Sequence, residues 1–158
     1  MTRRPLYVIV ATSDEVIGPV DRSRWPAHTT VVGNFHLEAG HGEAAARALM
    51  ATLSGVRAFD VVLGPSARFG KRGDVPVLIA EHQSFHRLHA ALVARLESVP
   101  GFAAVESAFW GSSYRPHVTL GTAVDARLGQ LMRMEWMTLV VLDGGIGRRV
   151  SSVHLVSR

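Results

Sequence analysis

Tyr114-Arg115-Pro116-His117-Val118-Thr119-Leu120-Gly121 sets a histidine and a threonine two residues apart, each followed by an apolar residue. On a strand, side chains two apart point to the same face, so an imidazole and a hydroxyl would stand side by side while Val118 and Leu120 turn inward. Pro116 fits a strand that begins here, since proline is tolerated at a strand's first residue. A second copy, Pro26-Ala27-His28-Thr29-Thr30-Val31-Val32, lies in the opposite half of the chain. Histidine titrates near neutral pH and can give or take a proton, and a threonine hydroxyl beside it can donate a hydrogen bond to an anion. One His-x-Thr arises often by chance; two in matching surroundings point to paired acid–base chemistry.

The elements that must position these residues are readable in part. Leu6 to Thr12 is a short apolar, β-branched run and predicts a buried strand. Residues 13 to 27 read as a loop with one helical turn, and His28 to Phe35 as the second strand. After the break at Gly40 to Gly42, Ala46, Leu49, Met50 and Leu53 recur at helical spacing and predict a helix over 43–54, ended by Gly55. Phe59 to Leu63 and Pro76 to Ala80 are expected strands, with a hairpin turn at Phe69-Gly70-Lys71-Arg72-Gly73-Asp74. Ser84 is the expected N-cap of a second helix reaching about residue 98, with the stripe Phe85, Leu88, Leu92 and Leu96. Residues 103 to 109 read as a weaker strand and 123 to 133 as a short helix. Met137 to Leu142 and Val150 to Val156 close the chain as a hairpin around Asp143-Gly144-Gly145. Two helices among many strands and tight hairpins argue for an α+β fold in one domain over residues 1–158.

Composition narrows the classes. The chain has 158 residues, 47% hydrophobic and 19% charged, which is long enough and apolar enough to bury a core. No apolar run approaches a membrane span of about 20 residues. Leu6 to Ala11 is too short for a signal peptide, so a cytoplasmic protein is expected, with a monomer as the default. The absence of cysteine excludes disulfides and thiolate metal sites. A net charge of +4 leans toward anionic ligands, but the basic residues are scattered rather than gathered in a duplex-binding stripe.

Two His-x-Thr strands, the second as Pro-His-Val-Thr-Leu, resemble the two-histidine (2H) phosphoesterase superfamily, and most of all its bacterial RNA 2′-5′ ligase-like, 2′,3′-cyclic phosphodiesterase branch. The resemblance spans nearly the whole chain. Relatives commonly continue the first motif as His-x-Thr-Leu and Phe-Leu-Gly, where this chain has His28-Thr29-Thr30-Val31-Val32-Gly33-Asn34-Phe35. The segment between the first strand and the first motif is also short and interrupted by proline.

The resemblance implies a bilobal fold: two antiparallel sheets, related by a pseudo-two-fold, flank a central cleft with helices outside. It implies that neither a metal nor an organic cofactor is needed. His28 and His117 would be the catalytic pair, either one serving as base and the other as acid, and Thr30 and Thr119 the clamps on the phosphate oxygens. The expected substrates are RNA ends carrying a 2′,3′-cyclic phosphate, or small cyclic nucleotides. Reversible 2′-5′ ligation, cyclic oligonucleotides, or a binding module without catalysis are the alternatives.

Five further readings concern the surroundings. Arg115 is expected to contact phosphate or ribose. Tyr114 is read either as a base or hydroxyl contact to substrate, or as a loop residue at the strand entrance. Phe69 with Arg68, Lys71 and Arg72 is read as a solvated hairpin tip in preference to a rim of the site. Gly70-Lys71 lacks the glycine spacing of a P-loop. His82, His86 and His89, with Glu81, recur along one helix flank; boundary histidines are the expected account and a metal site the alternative.

Overall fold

The computed structural model describes residues 3–121 and 124–157. Its opening strand, β1 (Leu6–Thr12), is buried on both faces, as its unbroken apolar run predicts. β2 (Val20–Asp21) follows, a two-residue strand where the sequence predicts one helical turn within 13–27. β3 (Thr29–His36) carries the first motif at its start, and α1 (Gly42–Leu53) is the first helix. β4 (Phe59–Val62), β5 (Ser66–Phe69) and β6 (Val75–Ile79) lead to α2 (Gln83–Leu96). Then come β7 (Ala103–Ala104), β8 (His117–Thr119), β9 (Leu131–Met134), β10 (Trp136–Asp143) and β11 (Ile146–His154).

The α+β class is as expected. Nine strands form one antiparallel sheet in the order β2-β11-β10-β1-β3-β8-β6-β5, with β7 beside β3; β4 and β9 form a second, two-stranded sheet. β8 links the β2-β11-β10-β1-β3 part of the large sheet to β6 and β5. β8 joins β3 through one pair, Thr29 opposite Val118.

Both helices pack against one face of this sheet and against each other. On that face Ile9, Phe35, Val118 and Leu139 meet Leu49, Leu53, Phe85, Leu92 and Leu96 in the main core. Strand alternation turns Val8, Val10, Val140 and Leu142 to the opposite face, where they gather around Trp25. The opposite face is the one that holds the motifs.

Several local expectations fail for identifiable reasons. Residues 124 to 133 contain a strand, not a helix: Met132 and Met134 alternate inward and pair with Val61 and Phe59 of β4. Residue 123 lies outside the described residues. Residues 103 to 109 hold only the two-residue β7, followed by a 3-10 turn over Ser107–Phe109. The cap of α2 is His82, whose Nδ1 accepts from the Ser84 N–H at 3.0 Å; a ring nitrogen serves where the sequence predicts a hydroxyl. In α1 the buried stripe is Ala45, Leu49 and Leu53, and Met50 is exposed. β5 lies outside the expected strands, because Ser66 to Phe69 is half polar. It pairs with β6 across the Gly70–Asp74 turn.

Candidate active site

β3 and β8 meet where the two motifs lie. Antiparallel pairing of Thr29 with Val118 sets His28 across from Thr119 and Thr30 across from His117. Thr29 and Val118 point into the helix-covered core, both fully buried, so the residues flanking them point together onto the open face. An antiparallel pair has a local two-fold axis between its strands. That axis relates one His-x-Thr to the other.

The two imidazoles are anchored alike. His28 Nδ1 lies 2.9 Å from the Pro26 carbonyl oxygen, and His117 Nδ1 lies 2.7 Å from that of Arg115. A carbonyl only accepts, so each Nδ1 carries the proton and each neutral ring keeps a bare Nε2. In both motifs the accepting residue lies two positions upstream. An aromatic ring steadies each histidine: Trp25 against His28 with centroids 4.7 Å apart, and Phe69 edge-on to His117, also at 4.7 Å. Trp25 reaches its place because residue 147 is glycine; a β-carbon there would lie 3.0 Å from the indole and 2.9 Å from Val140.

Burial holds His28 below the usual histidine range, and the nearby charge of His117 adds to the effect. His117 is lowered first by burial and then by the Arg115 guanidinium, while the Arg115 carbonyl opposes the shift. Arg115 is exposed, with its Cζ 4.8 Å from the centroid of the Phe69 ring. A cavity of about 280 Å³ opens beside the motifs, lined by His28, Thr30 and Thr119 among others. His117 is not part of its wall.

The expected site residues do not all fall together. His28, Thr30, His117 and Thr119 share one face, with Arg115 at its edge. Tyr114 does not offer a substrate contact: it is buried, and its hydroxyl donates to the Thr30 carbonyl at 2.9 Å. Tyr114 stacks on His89 at 4.2 Å with the rings nearly parallel. His89 is itself buried, and both its ring nitrogens bond to backbone. Its Nδ1–H donates to the Val31 carbonyl at 2.7 Å, and its Nε2 accepts from the Gly111 N–H at 3.0 Å. Val31 is the extra residue of a bulge, since β3 advances from Val32 to Thr30 while β1 advances from Ile9 to Val10. Tyr114 and His89 thus brace the bulge directly beneath Thr30.

The other two histidines of that flank have separate partners: His82 caps α2, and His86 pairs with Glu81. Among the described residues no three histidine or acidic side chains gather as a metal site. Phe69, expected at a solvated hairpin tip, packs edge-on against His117, whereas Arg68, Lys71 and Arg72 are exposed. Trp25 gives no signal in the sequence beyond its place three residues before His28.

The chain is similar to known proteins in sequence and in fold. The family model described as the 2′-5′ RNA ligase superfamily matches residues 10–158. No curated protein matches the chain. Among solved structures, TT0787 of Thermus thermophilus has 18% identity and a TM-score of 0.65, with 97% of this chain and 99% of that one covered. E. coli LigT complexed with ATP has 13% identity and a TM-score of 0.60, covering 98% and 100%. A protein described as a phosphoesterase has 14% identity and a TM-score of 0.59, covering 98% and 100%. At these identities the structures establish a shared fold. The family match, over nearly the whole chain and across both motifs, goes further: the protein belongs to the 2′-5′ RNA ligase (2H phosphoesterase) superfamily, whose chemistry is that of phosphoesters.

Proposed function

We propose that this protein opens 2′,3′-cyclic phosphates of RNA ends or nucleotides by acid–base catalysis between His28 and His117. The observation that carries the reading is the Thr29–Val118 pair, which brings both His-x-Thr elements onto one face. Opening the ring requires water to attack phosphorus, forming one P–O bond as the bond to a ribose oxygen breaks. One neutral imidazole takes the water's proton at Nε2, and the other, protonated, delivers its Nε2 proton to the departing ribose oxygen. Thr30 and Thr119 donate hydrogen bonds to the non-bridging oxygens and hold the phosphorus in line, while Arg115 at the edge supplies positive charge. With an RNA 5′-hydroxyl in place of water, the same ring opening forms a phosphodiester and is the ligating direction; the reverse of either step, in which the two histidines exchange roles, recloses the cyclic phosphate. A module that only binds has no use for two bare ring nitrogens fixed in the same tautomer.

The test is turnover on 2′,3′-cyclic mononucleotides, cyclic-phosphate RNA and cyclic di- and trinucleotides, with and without a chelator. Wild type should open the 2′,3′-cyclic substrates equally well in both conditions, because the imidazoles carry both proton transfers. His28→Ala and His117→Ala should each lose about a hundredfold or more in kcat while keeping the wild-type circular dichroism spectrum. Near-wild-type turnover by either variant would remove the assignment.

A further inference from the structure

The two halves of the site are joined by less than holds either one together. β8 pairs with β6 at Val77–Thr119, Leu78–Val118 and Ile79–His117, so His117 and Thr119 are carried on the β6 side. Its tie to β3, which carries Thr30, is the single pair Thr29–Val118. Along the same edge of β3 the other partner is β7, opposite Phe35 and His36. Among the described residues, no strand pairs with that edge over Thr30 to Gly33. The chain between β7 and β8 passes the gap as two 3-10 turns, Ser107–Phe109 and Gly111–Ser113.

Side chains span the gap instead. His89 enters from α2, buried, with its Nδ1–H on the Val31 carbonyl and its Nε2 accepting from the Gly111 N–H. Trp110 lies edge-on to His89 with centroids 5.8 Å apart, and a β-carbon at Gly33 would lie 3.1 Å from its indole nitrogen. Tyr114 stacks on the imidazole and bonds the Thr30 carbonyl. His89 thus ties the residue after Thr30 to the segment that leads into His117. Filling the core does not call for a histidine here, because leucine would fill it without desolvating two ring nitrogens. A fully bonded polar group fixes one arrangement where apolar packing tolerates several. The chemistry needs one arrangement, since an error of about 1 Å in placing reacting groups can cost about a hundredfold. We infer that His89, beneath the sheet and out of reach of the substrate, is a positioning residue that holds Thr30 and His117 at the separation one phosphate spans. The inference rests on the proposed function and deepens it by naming what sets the spacing of its two halves.

The test is steady-state turnover of a 2′,3′-cyclic mononucleotide by wild type, His89→Leu, His89→Gln and Val61→Ala. His89→Leu should lower kcat by about tenfold or more with KM nearly unchanged, because the spacing matters most in the transition state. His89→Gln, whose amide supplies one donor and one acceptor, should regain most of that loss. Val61→Ala empties part of the core beneath the two-stranded sheet, and should lose stability while keeping the wild-type kcat. If His89→Leu does not fold, His89→Asn decides: its shorter amide reaches Val31 but not Gly111 and should give an intermediate kcat.

Wild-type kcat in His89→Leu or His89→Asn would overturn the inference. So would a glutamine variant no better than leucine, or an equal loss of kcat in Val61→Ala. Titration with inorganic phosphate, read from the ring protons of His28 and His117, separates this role from the functional reading. Both rings should follow one affinity in wild type and different affinities in His89→Leu; one shared affinity in both proteins would count against the role. A protein that behaves as expected with phosphate yet opens no cyclic phosphate would end the functional reading and leave the role of His89 standing. Turnover that survives His89→Leu unchanged would do the reverse.

Discussion

Arg115 stands next but one to His117 in sequence and acts on it in two opposing ways. Its carbonyl accepts the Nδ1 proton and favours the charged ring, while its guanidinium, lying over Phe69, disfavours that charge. Burial outweighs both. His28 is lowered likewise, with the charge of His117 contributing, so both rings are held below the usual histidine value of about 6.5. The kcat/KM profile of the free enzyme should therefore be a bell centred on the acid side of that value, where the pair holds one proton. Arg115→Gln removes the repulsion and should shift the bell to higher pH. It should also lower kcat/KM by about tenfold or more, the loss of one charge-assisted contact to phosphate. A bell that stays in place would show that the guanidinium does not act on His117.

Residue scale also includes the Tyr114 hydroxyl, which touches the site only through backbone. Tyr114→Phe removes its hydrogen bond to the Thr30 carbonyl, worth about 1 kcal/mol of stability. If Tyr114 positions the clamp, kcat should fall by about tenfold with little change in KM, because a displaced Thr30 hydroxyl costs most in the transition state. A variant that loses stability but retains kcat would reduce Tyr114 to packing.

At the scale of elements, the junction of β3 and β8 has one flaw. Thr29 Oγ1 is buried and has no hydrogen-bond partner among the described residues. The x of this His-x-Thr faces the helix-side core, where a hydroxyl is a liability. Thr29→Val keeps the shape and removes the orphan, so it should stabilise the protein by about 1 kcal/mol. That corresponds to a rise in Tm of about 2–4 °C for a chain near this size. An unchanged or lower Tm would mean that water reaches the hydroxyl.

The same junction shows how far sequence could lead. Both motifs, β1, the two helices and the closing hairpin were legible because each is written locally, as an apolar period or an alternation. Pairing between β3 and β8 was not, since Thr29 and Val118 carry no mark of one another. The helix expected over 123–133 shows the opposite failure: Leu131 to Met134 alternate as a strand does, but in so short a span that helix formers outweighed the pattern. The partners of Tyr114 and His89 were illegible for a third reason. They are the backbone carbonyls of Thr30 and Val31, which no side-chain pattern in the sequence marks.

For the molecule as a whole, the consequence lies in acid stability. Burial holds His28, His89 and His117 all below their ordinary value, so the folded chain refuses protons that the unfolded chain takes up once the pH falls through about 6.5. The unfolded state then binds more protons, and the sign follows: stability is full above about 6.5 and is lost as the pH falls toward the lower folded values. Each histidine contributes a slope of up to about 1.4 kcal/mol per pH unit within that window. Protonation of His89 carries a further loss, because a charged ring can no longer accept from the Gly111 N–H. Urea unfolding midpoints between about pH 7.5 and 5 should therefore fall with acidification, and less steeply in His117→Asn, which removes one of the three groups. Inorganic phosphate should restore part of the loss, because an anion between His28 and His117 favours their charged forms. A midpoint that is flat or rises over this range would mean that the three imidazoles are not desolvated. The acid-side bell would then lose its physical basis as well.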